Sequence, residues 1–569
     1  EQPGILVPLP SLSPSTDEHR RDGEMIDPKV CLICSFLVSV VSGWTGPSFI
    51  HRQAESSRLG TKSHVTPAYH HTSLLARPRP SGDAVDEIML PANSDYNDGL
   101  SETPISTGKI VDLQTHTLRK SPADSLASLS EACKKLGVDA FDVYGDFELD
   151  EKQSHLRQFE AEVALSFGKE DGVFCLSGGM AQSIALLINA RKRRSAHDGD
   201  NSSEKTLAFA CHPTSHLLLH ENDAFSELLG MEAVVINADS VSTKENKVQY
   251  DPEALKKYGC YGMEPVRLSH VQQLFPSLDG SALVIPPTYP NRKQVSCTDI
   301  STLILELPHR EIGGKLTPWE EVEEISRLCD KHGIHYHCDG ARIFEASVGY
   351  GHKSVKQTAQ PFTSIYVSFY KGLGAISGAM LLGDAEFCSE ARVWLRRMGG
   401  NLYSVLPYAI SSWDGFRKNC LTGEVDDDLN QDESQKCNLV YDHRVFENRR
   451  KKLARVMELL RADSRITSIV QFDPVVPETN MVHGYLRMSH DECMAALEKV
   501  EQSTGIRVLS RVRSCCHDEN WNSSDSGGDT NNQTFGCRFE WTMGESNSLI
   551  GDDHFVYGWN KFAQVAEGE

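Results

Sequence analysis

One lysine in this chain stands where packing alone does not explain it. Lys371 follows the apolar run SIYVSFY (364–370) and precedes the stretch GLG (372–374). Burying an ammonium group at the end of an apolar strand is costly unless the amine is neutral or paired. A lysine that forms a Schiff base avoids this cost, because its amine is consumed covalently and its desolvation favours the nucleophilic form. Lys371 is therefore a candidate nucleophile for a carbonyl group.

Three further features match what pyridoxal 5′-phosphate requires besides a lysine. Asp339 follows the apolar run IHYHC (334–338) and is placed to hold a ring nitrogen protonated. Gly178 and Gly179 follow another apolar run and begin a helical pattern, and backbone N–H groups at such a turn bind phosphate. His216 follows the run TLAFAC (206–211) and offers a flat ring over the cofactor. Each feature is common alone, but together they predict a pyridoxal phosphate site.

The elements that must position these residues alternate between strands and helices. Strands are predicted at 172–176, 206–211, 233–237, 303–306, 334–338 and 364–368, with helices between several of them, such as 319–331. Apolar β-branched runs separated by helices indicate a parallel sheet covered on both faces, which defines an α/β fold. Ligands bind beyond the carboxyl ends of such strands, where the candidate residues stand.

The C-terminal part has a different pattern. A long amphipathic helix is predicted over 443–462, and its basic cluster RRKK (449–452) is interpreted as a solvated face. Short strands at 468–472, 482–486, 506–509 and 537–542, with a helix at 491–503, predict a smaller α+β domain. We expect the domains at 106–415 and 441–569, with an acidic surface insertion over 416–440. Two further polar segments, 192–205 and 517–534, are predicted to be surface loops.

Five segments resemble the threonine aldolase and aromatic amino acid β-eliminating lyase family. They are DLQTHTLRK (112–120), DVYGD (142–146), FGKEDGVFCLSGGMAQ (167–182), HCDGARIFEA (337–346) and FYKGLGAISGAML (369–381). DGAR and KGLG, in that order and spacing, are the most specific of these motifs. The resemblance runs from about 110 to 545 and implies the aspartate aminotransferase-like fold, pyridoxal phosphate as cofactor and a homodimer or homotetramer.

The resemblance also implies residue roles. Lys371 corresponds to the Schiff-base lysine, Asp339 to the partner of the pyridine nitrogen and Arg342 to a group near the ring hydroxyl. His216 corresponds to the stacking histidine and His309 to a second active-site histidine. The substrate carboxylate would be held by Arg538, with Thr115 nearby, and the phosphate by Gly178 and Gly179. We regard Lys371, His216 and His309 as the catalytic candidates.

The sequence departs from the family pattern at several of these positions. The family motif SGTM is SGGM in this chain, so Gly179 stands where the family has a threonine whose hydroxyl would contact the phosphate. Ser368 is a candidate to supply that hydroxyl instead. Ser-Asp near the N-terminus is replaced by Thr115-His116, and ENTHN has become ELPHR. These changes leave the cofactor groups in place and bear on the substrate.

The expected reaction is that of a carbon–carbon lyase whose small-molecule substrate is an amino acid. Aldol cleavage of a β-hydroxy amino acid to glycine and an aldehyde is favoured, with His216, His309 or a water as the base. β-Elimination with Lys371 as the base is the first alternative. Transamination on the same fold, or a non-catalytic binding protein that has kept the fold, are the others.

Composition restricts the partners and the compartment. The chain has 569 residues and a net charge of −22, so nucleic acid and membrane are not expected partners. Its 16 cysteines show no repeating spacing, which favours free thiols. Cys31 and Cys34 form a single CxxC motif without a second such motif nearby, so no metal site is expected. Residues 1–105 are predicted to be a leader. The apolar run 30–41 and the acid-free stretch 56–82 within it indicate a targeting segment for an organelle, plastid or mitochondrion; otherwise the chain is expected in the cytoplasm.

Overall fold

The computed structural model describes residues 110–118, 120–139, 154–195, 207–236, 260–275, 284–285, 295–352, 354–422, 440–515 and 535–568. The predicted leader, the DVYGD motif, the loop 517–534 and residues 423–439 of the predicted acidic insertion lie outside these residues. None of the helices that the structure describes combines the length and apolar character needed to cross a membrane. No disulfide joins two of the described cysteines.

Strands and helices are numbered in chain order. The strands are β1 (Val111–Asp112), β2 (Asp171–Cys175), β3 (Leu207–Cys211), β4 (Met231–Val235), β5 (Val284–Ile285), β6 (Val295–Ser296), β7 (Ile300–Glu306), β8 (His335–Gly340), β9 (Ser364–Ser368), β10 (Ala379–Gly383), β11 (Leu421–Thr422), β12 (Val440–Tyr441), β13 (Val470–Asp473), β14 (Met481–Leu486), β15 (Ile506–Arg507), β16 (Arg513–Ser514) and β17 (Cys537–Thr542).

The described helices are α1 (Pro122–Leu136), α2 (His155–Phe167), α3 (Gly178–Ser195), α4 (His216–Leu219), α5 (Ala224–Glu227), α6 (Leu268–Gln272), α7 (Trp319–His332), α8 (Ile343–Gly349), α9 (Val355–Ala359), α10 (Ala385–Arg397), α11 (Leu406–Cys420), α12 (Arg444–Ala462), α13 (Ser464–Ile469), α14 (His490–Thr504) and α15 (Asp552–Ala566). The α3 helix continues to Ser195, so the predicted loop 192–205 begins inside a helix.

The large sheet has seven strands in the order β2-β10-β9-β8-β7-β3-β4. The neighbours from β9 to β4 run parallel, whereas β10 is antiparallel to both β2 and β9. The strands β7, β8 and β9 are almost entirely buried, as expected for strands covered on both faces. The predicted α/β fold with a mostly parallel sheet is confirmed.

A second sheet lies in the C-terminal part. It has four antiparallel strands in the order β13-β14-β17-β16 and its own apolar core, which includes Trp541 and Trp559. The short strand β1 pairs in parallel with β15, and Leu113 is buried in this second core. The first residues of the resemblance therefore pack with the last ones, although the domain boundaries themselves remain a prediction.

Two of the four residues in the basic cluster on α12 are buried, which corrects the interpretation of the whole cluster as a solvated face, although Lys451 is exposed. Arg449 and Lys452 are 6% and 8% exposed. Arg449 donates a hydrogen bond of 2.8 Å to the carbonyl oxygen of Gly372, and Lys452 donates to Ile550 and Asp552. Because residues three apart share one side of a helix, these two face the same neighbours as the buried Phe446 and Leu453.

Candidate active site

The predicted cofactor residues stand at adjacent strand ends of the large sheet. Asp339 is the penultimate residue of β8, and its Cα partners are Glu306 on β7 and Tyr366 on β9. Lys371 follows three residues after the end of β9. Parallel strands end at the same edge, so the sheet brings the carboxylate and the amine to one place.

Asp339 is 3% exposed and is held by two donors. Its Oδ2 accepts a hydrogen bond of 2.8 Å from Nε2 of Gln182, and its Oδ1 accepts one of 3.2 Å from the backbone N–H of Ala341. Gln182 lies four residues after Gly178 on α3. The turn and this amide therefore share one face of the helix, a spacing that the sequence analysis did not use.

The amine of Lys371 lies in a cavity of about 350 Å³, which Arg342, Glu345 and Arg449 also line. Burial and the positive charge of Arg342 lower the pKa of Lys371 to about 8, although the negative charge of Asp339 opposes them. Near neutral pH, a much larger fraction of this amine is unprotonated than in an ordinary lysine. That is the state in which an amine attacks a carbonyl carbon.

The glycine turn at the start of α3 is closely packed. A Cβ atom at Gly178 would overlap the hydroxyl of Tyr366, and one at Gly179 would overlap the carboxylate of Glu221. Gly179 therefore accommodates Glu221 where the family pattern has a threonine. Ser368, the candidate for a replacement hydroxyl, is 1% exposed, and its Oγ makes no hydrogen bond of normal geometry among the described residues.

His216 begins α4, and its Nε2 lies 3.1 Å from Oε1 of Glu221. Burial lowers its pKa, but the hydrogen bond to Glu221 and the charges of Asp339 and Glu306 outweigh burial and raise the pKa above its ordinary value. These two carboxylates stand at the ends of β8 and β7. The protonation of His216 is therefore influenced by the carboxylates at the same edge of the sheet as Asp339.

His309 has a different environment. It is 1% exposed, its Nε2 lies 2.7 Å from Oγ1 of Thr214, and its ring packs edge-on against His212 with 4.4 Å between the ring centroids. Oε2 of Glu306 is 3.8 Å away. His309 is not among the residues that line the cavity around Lys371.

Arg538 and Thr115 line a second cavity of about 260 Å³, beside the four-stranded sheet. Arg538 is 4% exposed and lies on β17. The hydroxyl of Thr115 donates a 2.9 Å hydrogen bond to Asp112, so this proton is already engaged. The two cavities share the lining residues His116, Thr117 and Thr542. The lysine and the candidate carboxylate-binding arginine thus face adjoining spaces.

An ion network joins residues that line the first cavity to residues that line the second. Glu540 pairs with Arg310 at 2.7 Å and with Arg342 at 3.5 Å, and Arg310 also pairs with Glu311 at 2.7 Å. Burial raises the pKa of Glu540, but the charges of Arg310 and Arg342 outweigh it and lower the pKa to about 2. Sequence reasoning missed this network, because its members come from separate elements and carry no local motif.

The lysine, the buried aspartate and the glycine turn thus stand together on an aspartate aminotransferase-like fold, in the arrangement that the sequence predicts for a pyridoxal phosphate site. Several known proteins are similar to this chain. A model for the β-eliminating lyase family matches residues 285–489. A Listeria monocytogenes structure, provisionally described as an L-allo-threonine aldolase, is 26% identical with a TM-score of 0.56, covering 80% of this chain and 96% of that chain.

Two Arabidopsis thaliana relatives match in sequence. "Probable low-specificity L-threonine aldolase 2" is 29% identical over 301 residues, which are 53% of this chain and 68% of that protein. "Low-specificity L-threonine aldolase 1" is 26% identical over 252 residues, which are 44% of this chain and 56% of that protein. The matches thus span between about half and two thirds of these relatives. The resemblance predicted from the motifs is confirmed: part of the chain matches the β-eliminating lyase model, and the chain is similar to threonine aldolases.

Proposed function

We propose that this chain is a pyridoxal phosphate-dependent carbon–carbon lyase that cleaves a β-hydroxy amino acid to glycine and an aldehyde. The observation that carries the proposal is the placement of Lys371, an amine with a pKa of about 8, and the buried carboxylate of Asp339 at one edge of the sheet. The relatedness to threonine aldolases favours aldol cleavage over β-elimination.

The residues at this edge fit the cofactor. The amine of Lys371 would bond to its aldehyde, and Asp339, oriented by Gln182, would face its ring nitrogen. Backbone N–H groups at Gly178 and Gly179, with the buried hydroxyl of Ser368, would hold its phosphate. When bound, pyridoxal phosphate supplies an electron sink that accepts the electron pair left on the α-carbon.

The chain's own groups then orient the amino acid. Arg538 would bind the α-carboxylate, and Arg342 would lie beside the ring hydroxyl. Thr115 would help Arg538 only after its hydroxyl leaves Asp112. Fixing the carboxylate selects which bond at the α-carbon breaks, because the other substituents turn with it.

Two histidines are candidates for the base that takes the β-hydroxyl proton. The pKa of His216 is raised through Glu221, so at neutral pH its imidazole is more protonated than an isolated one. In that state it donates protons better than it accepts them. His309, with its ring held by Thr214, is the other candidate.

The first experiment follows cofactor and products together. The purified protein with pyridoxal phosphate should show the visible absorbance band of the lysine-bound cofactor. Incubation with β-hydroxy amino acids should yield equal amounts of glycine and aldehyde. Lys371→Ala should lose the band and at least about 100-fold in rate, whereas Lys499→Ala, on the exposed face of α14, should keep both.

Each contrary result has a distinct meaning. Ammonia and a keto acid in place of glycine would identify β-elimination instead. A band that persists in Lys371→Ala would refute the lysine assignment. We further propose, by the family resemblance, a homodimer or homotetramer, which sedimentation measurements would test.

A further inference from the structure

Two arginines face each other on the small sheet beside the second cavity. Arg513 on β16 and Arg538 on β17 are direct partners across an antiparallel pair. Side chains in that relation leave the same face of the sheet about 5 Å apart at Cβ, where like charges repel. Burial and the charges of Arg538 and Arg310 lower the pKa of Arg513. The sheet therefore holds these cations together against their repulsion.

The carboxylates of this cavity are already engaged in ion pairs. Among the described residues, it is lined by four arginines, Arg310, Arg511, Arg513 and Arg538, and by two acidic residues, Glu311 and Glu540. Glu540 pairs with Arg310 and Arg342, and Glu311 pairs with Arg310 and His220. Neither Arg511 nor Arg513 forms an ion pair with a carboxylate among the described residues. The cavity thus presents more positive charge than one α-carboxylate would balance.

A buried, unpartnered imidazole also lines the cavity. His483 on β14 is the cross-strand partner of Glu540 and is 3% exposed. Neither of its ring nitrogens forms a hydrogen bond among the described residues. Burial lowers its pKa to about 4, so it adds no charge at neutral pH and remains able to donate or accept one hydrogen bond.

The backbone that carries Arg511 is fixed in place before any ligand arrives, whereas the side chains of Arg511 and Arg513 are exposed. The side-chain oxygen of Gln114 accepts hydrogen bonds from the backbone N–H groups of Ser510 and Arg511, at 2.7 and 2.8 Å. Its Nε2 donates to the carbonyl oxygens of Arg511 and Glu540. One amide thus ties the segment that carries Arg511 to β17, which lowers the ordering cost of binding.

From this arrangement we propose that the substrate carries a second carboxylate on its side chain. Arg538 binds the α-carboxylate, as in the proposed function on which this inference rests, and Arg511 and Arg513 bind the side-chain carboxylate, with His483 beside it. The substrate class is a four-carbon or five-carbon β-hydroxy dicarboxylic amino acid. Charge-assisted pairing with two guanidinium groups is the chemistry that recognises it.

The reaction on such a substrate balances. For 3-hydroxyaspartate, the Cα–Cβ bond breaks, the β-hydroxyl loses its proton and the β-carbon becomes the aldehyde of glyoxylate. The electron pair that remains on the α-carbon is protonated, which gives glycine. No oxidant, reductant or second substrate is needed.

A binding experiment tests the charge preference independently of turnover. Succinate and its monoamide, succinamate, have the same size and differ by one negative charge. In calorimetric titrations of the holoenzyme, succinate should bind about tenfold or more tightly than succinamate. Arg511→Gln and Arg513→Gln should each bring this ratio towards one. Arg461→Gln, on the exposed face of α12 and outside the cavity, should leave it unchanged.

A cleavage experiment then separates this inference from the proposed function. We expect kcat/KM for 3-hydroxyaspartate to exceed that for 3-hydroxyasparagine by about tenfold or more. Cleavage of both at equal rates would overturn the second carboxylate and leave the lyase intact. Tighter binding of succinate without cleavage of any substrate would uphold the dicarboxylate site and overturn the lyase. Equal binding of succinate and succinamate would also overturn the inference.

Discussion

Two regions of the molecule use charge in opposite ways. One is the cofactor edge, the strand ends of the large sheet that carry Asp339 and precede Lys371. The other is the arginine face, the wall of the second cavity lined by Arg310, Arg511, Arg513 and Arg538. At the edge, one carboxylate, Asp339, is held by neutral donors and acts on one amine, Lys371. On the face, arginines crowd together and the two carboxylates are shared among them. The first arrangement sets the protonation state of Lys371, whereas the second leaves positive charge that a ligand can balance.

The largest effect should come from removing charge at the cofactor edge. Asp339→Asn keeps an oxygen to accept from Gln182 but loses the negative charge. We expect a rate loss of about 100-fold or more with little change in thermal stability. The pKa of Lys371 should also fall, because the charge of Asp339 raises it.

The rate of glycine release measures the first effect, a melting curve measures thermal stability, and the pH dependence of amine labelling in the cofactor-free protein reports the pKa of Lys371. Asp330→Asn, on the exposed side of α7, is the matched control. If the asparagine variant retained the full rate, charge at this edge would not be what drives the chemistry, and the contrast between the two regions would disappear.

On the arginine face, the corresponding change should affect stability more than rate. Glu540→Gln leaves Arg310 and Arg342 with one carboxylate fewer, so we expect the free energy of unfolding at neutral pH to fall by about 2 kcal/mol. The folded-state pKa of Glu540 is lowered to about 2. The stabilisation from its charge is therefore fully present above the unfolded pKa and is lost as the pH falls from there through the folded pKa.

Denaturant titrations of wild type and variant should therefore differ at neutral pH and converge on acidification below pH 4, roughly the unfolded pKa of a glutamate. Glu458→Gln, on an exposed position of α12, should cost little at any pH. A constant difference down to the lowest accessible pH would show that Glu540 acts by packing and not by charge.

A smaller effect is expected at Glu345, which lines the first cavity. It is 2% exposed, and its Oε2 forms no hydrogen bond among the described residues. Burial raises its pKa to about 7, although Arg342, Arg449 and Lys371 oppose the shift. A raised pKa stabilises the folded state below the unfolded pKa, and this stabilisation is lost as the pH rises through about 7.

Glu345→Gln should remove that pH dependence. Between about pH 5 and about pH 8, the unfolding free energy of wild type should fall by about 1–2 kcal/mol more than that of the variant. Equal slopes in denaturant titrations would show that the neighbouring cations keep Glu345 ionised throughout. The first cavity would then carry a fixed charge, as the second one does.

The sequence predicted the cofactor edge better than the arginine face, for a physical reason. Lys371, Asp339 and the glycine turn follow apolar strands directly, and the rule that parallel strands end together places them in space. The arginine face combines a turn near residue 310, a segment near 511 and β17, and no periodicity connects these parts.

Arg449 shows the same limit within one helix. Because its neighbours in sequence are basic, the cluster was predicted to be a solvated surface. Arg449 is instead buried, and it donates a hydrogen bond to the carbonyl oxygen of Gly372, next to Lys371. His309 follows a predicted strand as expected, but only the structure reveals its contacts with Thr214 and His212. Local pattern predicts an element and its edge, whereas the direction of a side chain depends on tertiary neighbours.

The hydrogen bond from Gln114 to Glu540 has a consequence for the order of folding. The two residues are 426 positions apart, so β17, which carries Arg538, is joined to one of the first described segments of the chain. Closing so long a loop has a large entropic cost, and contacts of this separation form late. During synthesis, the large sheet can assemble while the second cavity still lacks β17. The protein should thus gain its cofactor edge before its substrate pocket.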